Sequence, residues 1–70
     1  MKYLIIIEPT STGFSAYSPD VPGCIATGKT ETATKKNIAE AIAFHLEGMN
    51  ELGLSIPVSQ TKADYVDIAA

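Results

Sequence analysis

The sequence has one cysteine and one histidine, Cys24 and His45, which excludes an internal disulfide and a structural zinc site. A single cysteine cannot form an internal disulfide, and the absence of disulfides is typical of a reducing, cytoplasmic setting. These two residues are also too few for a tetrahedral structural zinc site. A thin core without disulfide or metal is expected to gain stability from homo-oligomerisation, as a dimer or a tetramer.

Basic charge is also scarce. There are five lysine and arginine residues against eight aspartate and glutamate residues, and the formal net charge is −3. Duplex nucleic acids are held by basic side chains that displace counterions from phosphates, so we expect no direct binding to nucleic acid. An acidic surface is better suited to a basic protein partner. An apolar run, Tyr3–Ile7, ends at Glu8 and is too short for a signal-peptide core or a membrane span.

The apolar residues that are present predict three strands in the first part of the chain. Tyr3–Ile7 is apolar on both faces, which favours a central strand. A polar segment of turn-forming residues then predicts a hairpin loop, and Phe14–Ser18 is the return strand. A rigid connector, Pro19–Gly23, leads to the third strand, Cys24–Thr27.

One long helix is predicted over Glu31–Leu52, with Thr30 as its N-cap and Gly53 just beyond its end. Its apolar stripe, which has His45 near the centre, consists of Ile38, Ile42, Leu46, Met49 and Leu52. A polar linker then precedes a last short strand, Tyr65–Ile68. The order β-β-β-α-β in one domain, residues 1–70, predicts the α+β class, a small antiparallel sheet with one helix on one face.

No set of side chains in the sequence predicts catalysis, a cofactor or a metal site. Four carboxylates lie at predicted strand ends, but their spacing does not indicate that they converge to hold magnesium ions, and solubilising charge explains them better. They are Glu8, Asp20, Asp64 and Asp67. A buried strand residue explains Cys24 better than a nucleophile does, and a ring packed on the sheet explains His45 better than a general base does. We therefore expect a protein that is not an enzyme.

The outer face of the helix is the candidate partner-binding surface. Glu40, Glu47 and Glu51 lie opposite the apolar stripe, and Phe44 lies at its margin. Such an acidic face beside one aromatic side chain suits a basic partner. The alternative is a solvated helix face that binds nothing.

Linked motifs run through the connector, the helix and the segment after it. In chain order they are Pro19-Asp20-Val21-Pro22-Gly23-Cys24, Gly28-Lys29-Thr30, Asn37, Glu40-Ala41-Ile42, His45-Leu46-Glu47 and Gly53-Leu54-Ser55-Ile56-Pro57. They resemble the motifs of the HicB-like antitoxin family of type II toxin–antitoxin systems. The resemblance implies a partial ribonuclease H fold without its catalysis. It also implies architectural roles, in the turn, the strand exit and the helix cap, for Pro19, Asp20, Pro22, Gly23, Cys24, Gly28 and Thr30.

The resemblance also implies a partner. That partner is a HicA-like toxin, a small basic protein with a double-stranded-RNA-binding fold that cleaves mRNA, and the antitoxin binds and masks it. Many members of the family carry a C-terminal DNA-binding segment that this sequence lacks, so operator binding is not expected. The alternatives are a stand-alone homo-oligomeric interaction module with no cognate toxin and, much less favoured, a degenerate nuclease acting through Glu8, Asp20 or Asp67.

Overall fold

The structure is a computed structural model that describes residues 1–69. Three strands come first, β1 (Ile6–Pro9), β2 (Phe14–Tyr17) and β3 (Ile25–Gly28), and one helix, α1 (Glu31–Glu51), follows. The strands form one sheet in the order β1-β2-β3, and both pairings are antiparallel. The predicted α+β class, a small antiparallel sheet with one helix, is confirmed.

The strand β2 is central, and its register defines the two faces of the sheet. On the helix side Ala16 lies between Ile7 and Ala26, and it is 1% exposed. On the open side Tyr17 pairs with Ile25, and both side chains are exposed. The strand β1 is therefore an edge strand in this chain, although its apolar residues on both faces predicted a central one.

The core lies between the inner face of the sheet and α1. Its buried apolar residues are Ala16, Val21, Cys24, Ile38 and Ile42. Val21 and Ile38 have no exposed surface, and Val21 comes from the connector between β2 and β3. The connector is thus part of the core as well as a link between two strands.

Both ends of α1 lie within one residue of the prediction. Thr30 has an extended backbone, and its Oγ1 accepts a hydrogen bond from the amide of Ala33 at 3.0 Å. Beyond the last turn, Gly53 has a φ of +71°. The amide of Leu54 donates to the carbonyl of Met49 at 2.9 Å, which completes a Schellman motif.

The buried face of α1 differs from the predicted stripe in the last turns. The buried residues are Thr34, Ile38 and Ile42, whereas Leu52 is 76% exposed. His45, which was expected to pack on the sheet, is exposed. The reason is length: a helix of 21 residues is about 32 Å long, and a four-residue strand spans roughly 13 Å. The C-terminal turns of the helix therefore extend beyond the sheet.

The predicted strand Tyr65–Ile68 is wrong for the single chain, because residues 54–69 have no regular secondary structure. The Tyr3 hydroxyl donates to the Pro57 carbonyl at 2.6 Å and holds the first part of this segment. Further on, Tyr65 is 98% exposed, and no backbone hydrogen bond joins its neighbourhood to a strand within residues 1–69. A strand needs an edge to pair with, and without one its backbone groups bond to water.

Within residues 1–69, no helix has the length and apolar character that a membrane crossing needs.

Candidate functional site

The motif between β2 and β3 ties the C-terminal segment to the sheet through Asp20. Its Oδ2 accepts hydrogen bonds from the amides of Gln60 at 3.0 Å and Thr61 at 2.9 Å, and its Oδ1 accepts one from the Thr61 hydroxyl at 2.6 Å. Directly before the motif, the buried Ser18 donates its hydroxyl to the carbonyl of Leu4 at 2.8 Å. Both carboxylate oxygens of Asp20, one of the residues considered for metal binding, thus accept hydrogen bonds from the C-terminal segment.

Two glycines, one in this motif and one at the end of β3, stand where a side chain is strained or excluded. Gly23 has a φ of +89°, a conformation that residues with a β-carbon rarely adopt. At Gly28 a β-carbon would lie 2.6 Å from Oγ1 and 2.8 Å from the backbone nitrogen of Thr34. The buried Thr34 in turn donates its hydroxyl to the Thr30 carbonyl at 2.7 Å. Gly28 therefore allows the first turn of α1 to lie directly against β3.

The cysteine of the motif is in the core. Cys24 is 6% exposed, and its Sγ lies 3.9 Å from the carbonyl oxygen of Ala41, a weak contact. Burial raises the pKa of the Cys24 thiol, so the thiol is protonated at neutral pH and is a poor nucleophile. The geometry fits a small packing residue.

Val21 is a core residue, although no role was predicted for it from the sequence. It has no exposed surface, while Pro19 is half-buried and Pro22 is exposed. One signal for it exists in the sequence, since Val21 is the only large aliphatic residue of the connector Pro19–Gly23. The two prolines hold the backbone on either side of it and so direct this one side chain inward.

The Asp20 anchor predicts a pH-dependent release of the C-terminal segment. The hydrogen bond from the Thr61 hydroxyl, and next that from the Thr61 amide, lower the pKa of Asp20 below its ordinary value of 3.8. A carboxyl with a lowered folded-state pKa stabilises the fold above its ordinary pKa, and that stabilisation is lost as the pH falls through the lowered pKa. We expect the amide resonances of Gln60 and Thr61 to shift together in an NMR titration below pH 3.8.

An Asp20→Ala variant should show the shifted amide positions already at neutral pH. The matched control is Asp64→Ala, which removes an exposed carboxylate from the same segment and should leave the Thr61 titration unchanged. An identical Thr61 titration in the wild type and in Asp20→Ala would contradict the anchor.

The outer face of α1 is the second candidate site. Glu40, Phe44, Glu47 and Glu51 follow one another at helical spacing, and all four are exposed. Phe44 is 79% exposed. The last turn has no basic residue, so these carboxylates and the negative end of the helix dipole act in the same direction. These four residues form what we call the acidic face.

An apolar groove of about 580 Å³ borders the acidic face, where the overhanging end of α1 passes the start of β3. Its lining includes Ile25, Phe44, Glu47, Glu51, Leu52 and Leu54. Ile25, Phe44 and Leu52 are each at least 70% exposed. Exposed apolar side chains rimmed by charge are typical of a protein–protein interface.

The strand-end carboxylates do not form a cluster. Among residues 1–69, no three histidine, cysteine, aspartate or glutamate side chains converge in a way that could hold a metal ion. Asp20 is engaged with Thr61, and Glu8, Asp64 and Asp67 are exposed. Within the described residues, these four carboxylates therefore do not assemble the magnesium site that was considered for them.

Known proteins resemble this chain over most of its length. The family model described as "HicB_like antitoxin of bacterial toxin-antitoxin system" matches residues 3–69. A Haemophilus phage HP1 protein, named "Uncharacterized 14.9 kDa protein in rep-hol intergenic region", is 40% identical over 67 residues, which are 96% of this chain and 50% of that protein. The chain thus spans about half the length of that relative. The "UPF0150 protein Ta0767" of Thermoplasma acidophilum is 36% identical over 58 residues, which are 81% of this chain and 84% of that protein.

Among solved structures, a chain of the "HicA3 and HicB3 toxin-antitoxin complex" matches this fold with a TM-score of 0.72 and 37% identity. The match covers 86% of this chain and 70% of that chain. Sequence family and three-dimensional fold therefore agree over most of the chain. The chain belongs to the HicB-like antitoxins of bacterial toxin–antitoxin systems.

Proposed function

We propose that this antitoxin binds and masks a small basic toxin of the HicA type, using the acidic face of α1 and the groove beside it. The observation that carries the proposal is the position of Phe44. Its ring is 79% exposed and lines the groove beside the start of β3, with carboxylates before and after it along the helix. The similar solved structure, a toxin–antitoxin complex, supports the same kind of partner.

Phe44 has the properties of an interface anchor. A helix holds its backbone before binding, so little conformational freedom is lost when the ring is buried. Aromatic anchors at the centre of an interface commonly contribute about 2 kcal/mol or more to binding. Leu52 and Ile25, on the two walls of the groove, provide apolar surface around such a contact.

The glutamates make the acidic face complementary in charge to a basic toxin. A protein that cleaves mRNA must hold phosphates with basic side chains, because those contacts dominate its affinity for RNA. Glu40, Glu47 and Glu51 present carboxylates over about three turns of one helix face. The acidic face therefore competes with RNA for the same basic surface, and the antitoxin acts by occupying it rather than by chemistry.

The first experiment is to recover the toxin and measure its activity. The tagged chain is used to capture its partner from native lysate, and the partner's ribonuclease activity is measured on RNA with and without this chain. A small basic ribonuclease that this chain inhibits at a stoichiometric ratio supports the proposal. Recovery of self-associated protein alone would favour the stand-alone module instead.

Substitutions on the acidic face are expected to weaken the complex strongly. Phe44→Ala should raise the Kd for the toxin about 30-fold, which corresponds to about 2 kcal/mol, because it removes the exposed anchor. Glu47→Lys should slow association about 10-fold at low salt, and the difference from the wild type should shrink as salt screens the charges. Both are measured by surface plasmon resonance at two salt concentrations.

The matched control is Glu8→Lys, which makes the same charge change on β1. Glu8 is an exposed carboxylate that lies outside the acidic face, so its variant should bind the toxin like the wild type. If Glu8→Lys lost binding while Phe44→Ala and Glu47→Lys retained it, the interface would lie on the sheet.

A further inference from the structure

The two edges of the sheet are not equally covered. At β3, the Asn37 side-chain amide donates to the Thr27 carbonyl at 2.8 Å, and Gly28 lies against Thr34, so α1 protects this edge. The helix packs mainly across β3 and β2 and contacts β1 least. No helix side chain within residues 1–69 donates to β1 in the same way. The outer edge of β1 is thus a place where another strand can add.

A second groove lies beside this edge. It has a volume of about 540 Å³ and runs between the first residues of the chain and α1. Its lining includes Lys2, Ile5, Lys35, Ile42 and Leu46. Ile5 and Leu46 are only half-buried. The apolar run Tyr3–Ile7 has the composition of a central strand, but β1, which contains its last two residues, lies at the edge of the sheet. We therefore expect a further segment to pair with β1 and to cover the groove.

The chain carries a segment with the matching chemistry. Val66 and Ile68 are 80% and 77% exposed, and strand alternation would place both on one face. Residues 58–69 contain neither glycine nor proline. Asp64 lies two residues before Val66, so alternation places it on the same face as the apolar pair, and its charge is opposite to that of the lysines lining the groove. The segment Tyr65–Ile68 therefore matches the β1 groove in apolar pattern and in charge.

The geometry of the single chain directs this segment away from its own β1. The Asp20 hydrogen bonds hold the chain at Thr61, and every residue from Lys62 to Ala69 is exposed. The radius of gyration is 14.0 Å, against about 11 Å for a compact domain of this length, and the longest extent is 50 Å. The segment is thus placed to reach a second molecule.

We propose that Tyr65–Ile68 of one copy adds as a strand to the outer edge of β1 in a second copy, with Val66 and Ile68 in the groove. Each copy has one free β1 edge and one free segment. A twofold-symmetric exchange therefore pairs both edges and closes the assembly as a dimer. The added strand makes β1 a central strand, which is what the composition of Tyr3–Ile7 indicates.

The oligomeric state of the full chain tests this exchange. Light scattering after size-exclusion chromatography should give twice the monomer mass of 7.4 kDa for the wild type. The double variant Val66→Asp, Ile68→Asp should give the monomer mass with an unchanged helical circular dichroism spectrum, because both side chains are exposed in the single chain. The matched control is Val58→Asp, 72% exposed in the same segment but outside the strand, which should stay dimeric.

An isotope-filtered NMR experiment identifies the pairing partner. In a dimer mixed from differently labelled copies, we expect contacts between the Val66 and Ile68 methyl groups of one copy and the Ile5 methyl groups of the other. A monomeric wild type, a double variant that stays dimeric, or methyl contacts confined to one copy would each overturn the proposal. Phe44→Ala should remain a dimer, so failure of toxin binding and failure of the exchange are measured separately.

Discussion

Ile38→Asp is expected to unfold the protein at room temperature. Ile38 has no exposed surface and lies in the middle of the core cluster, between α1 and the inner face of the sheet. An aspartate there loses the transfer free energy of the isoleucine and leaves a buried carboxyl without a partner, which costs several kcal/mol. A domain of this length has a total stability of roughly 4 to 10 kcal/mol, so this single change removes most or all of it.

The measurement is far-UV circular dichroism with thermal denaturation, and two variants accompany it. Ala39→Asp places the same carboxylate one residue further along, at an exposed position, and should keep a cooperative transition. Ile38→Val removes one methylene from the core and should lower the stability by about 1 kcal/mol. A cooperatively folded Ile38→Asp would show that the helix does not bury this face.

Gly28→Val is expected to destabilise the fold by about 3 kcal/mol or more, through overpacking at the junction of β3 and α1. A β-carbon at Gly28 would lie 2.8 Å from the backbone nitrogen of Thr34, and backbone cannot rotate aside as a flexible side chain does. The helix start must then move away from the strand. That movement disturbs the N-cap at Thr30 and the burial of Thr34.

Urea denaturation and amide hydrogen exchange at Thr34 measure this effect. Gly48→Ala is the matched control, since a β-carbon at Gly48 has no atom within 4 Å. Because alanine is the better helix former, this control should raise stability by up to about 1 kcal/mol. Equal urea midpoints for Gly28→Val and the wild type would mean that helix and strand do not approach as closely as the structure has them.

Local features of the fold were predictable because neighbouring residues determine them. The hairpin strands and the long helix agree with prediction to within a few residues, since alternation, helical spacing and turn-forming residues act over short distances. Thr30 and Gly53 mark the helix ends, because capping depends on the few residues beside each end. The exposed position of the acidic face also follows from helical spacing alone.

Burial and long-range contacts were not predictable in the same way, because they depend on how far the helix extends past the sheet and on which segments meet in three dimensions. Spacing along α1 places Leu52 on the apolar stripe, but the sheet is too short to cover that turn, and Leu52 is exposed. The same overhang leaves His45 in solvent and opens the groove beside Phe44. The hydrogen bonds from Thr61 to Asp20 join residues that are 41 positions apart in the chain, which no local pattern reveals.

The sequence by itself determined the α+β class, the helix and its caps, the motifs of the HicB-like antitoxins and the acidic character of the outer helix face. These depend on composition and on short spacings, which act in any tertiary context. Only the tertiary structure decided that β1 is an edge strand, that Val21 is a core residue and that Tyr65–Ile68 finds no strand partner within residues 1–69 of its own chain. The physical reason is that strand pairing and burial are properties of two surfaces that meet, and a sequence specifies each surface without specifying which other one will cover it.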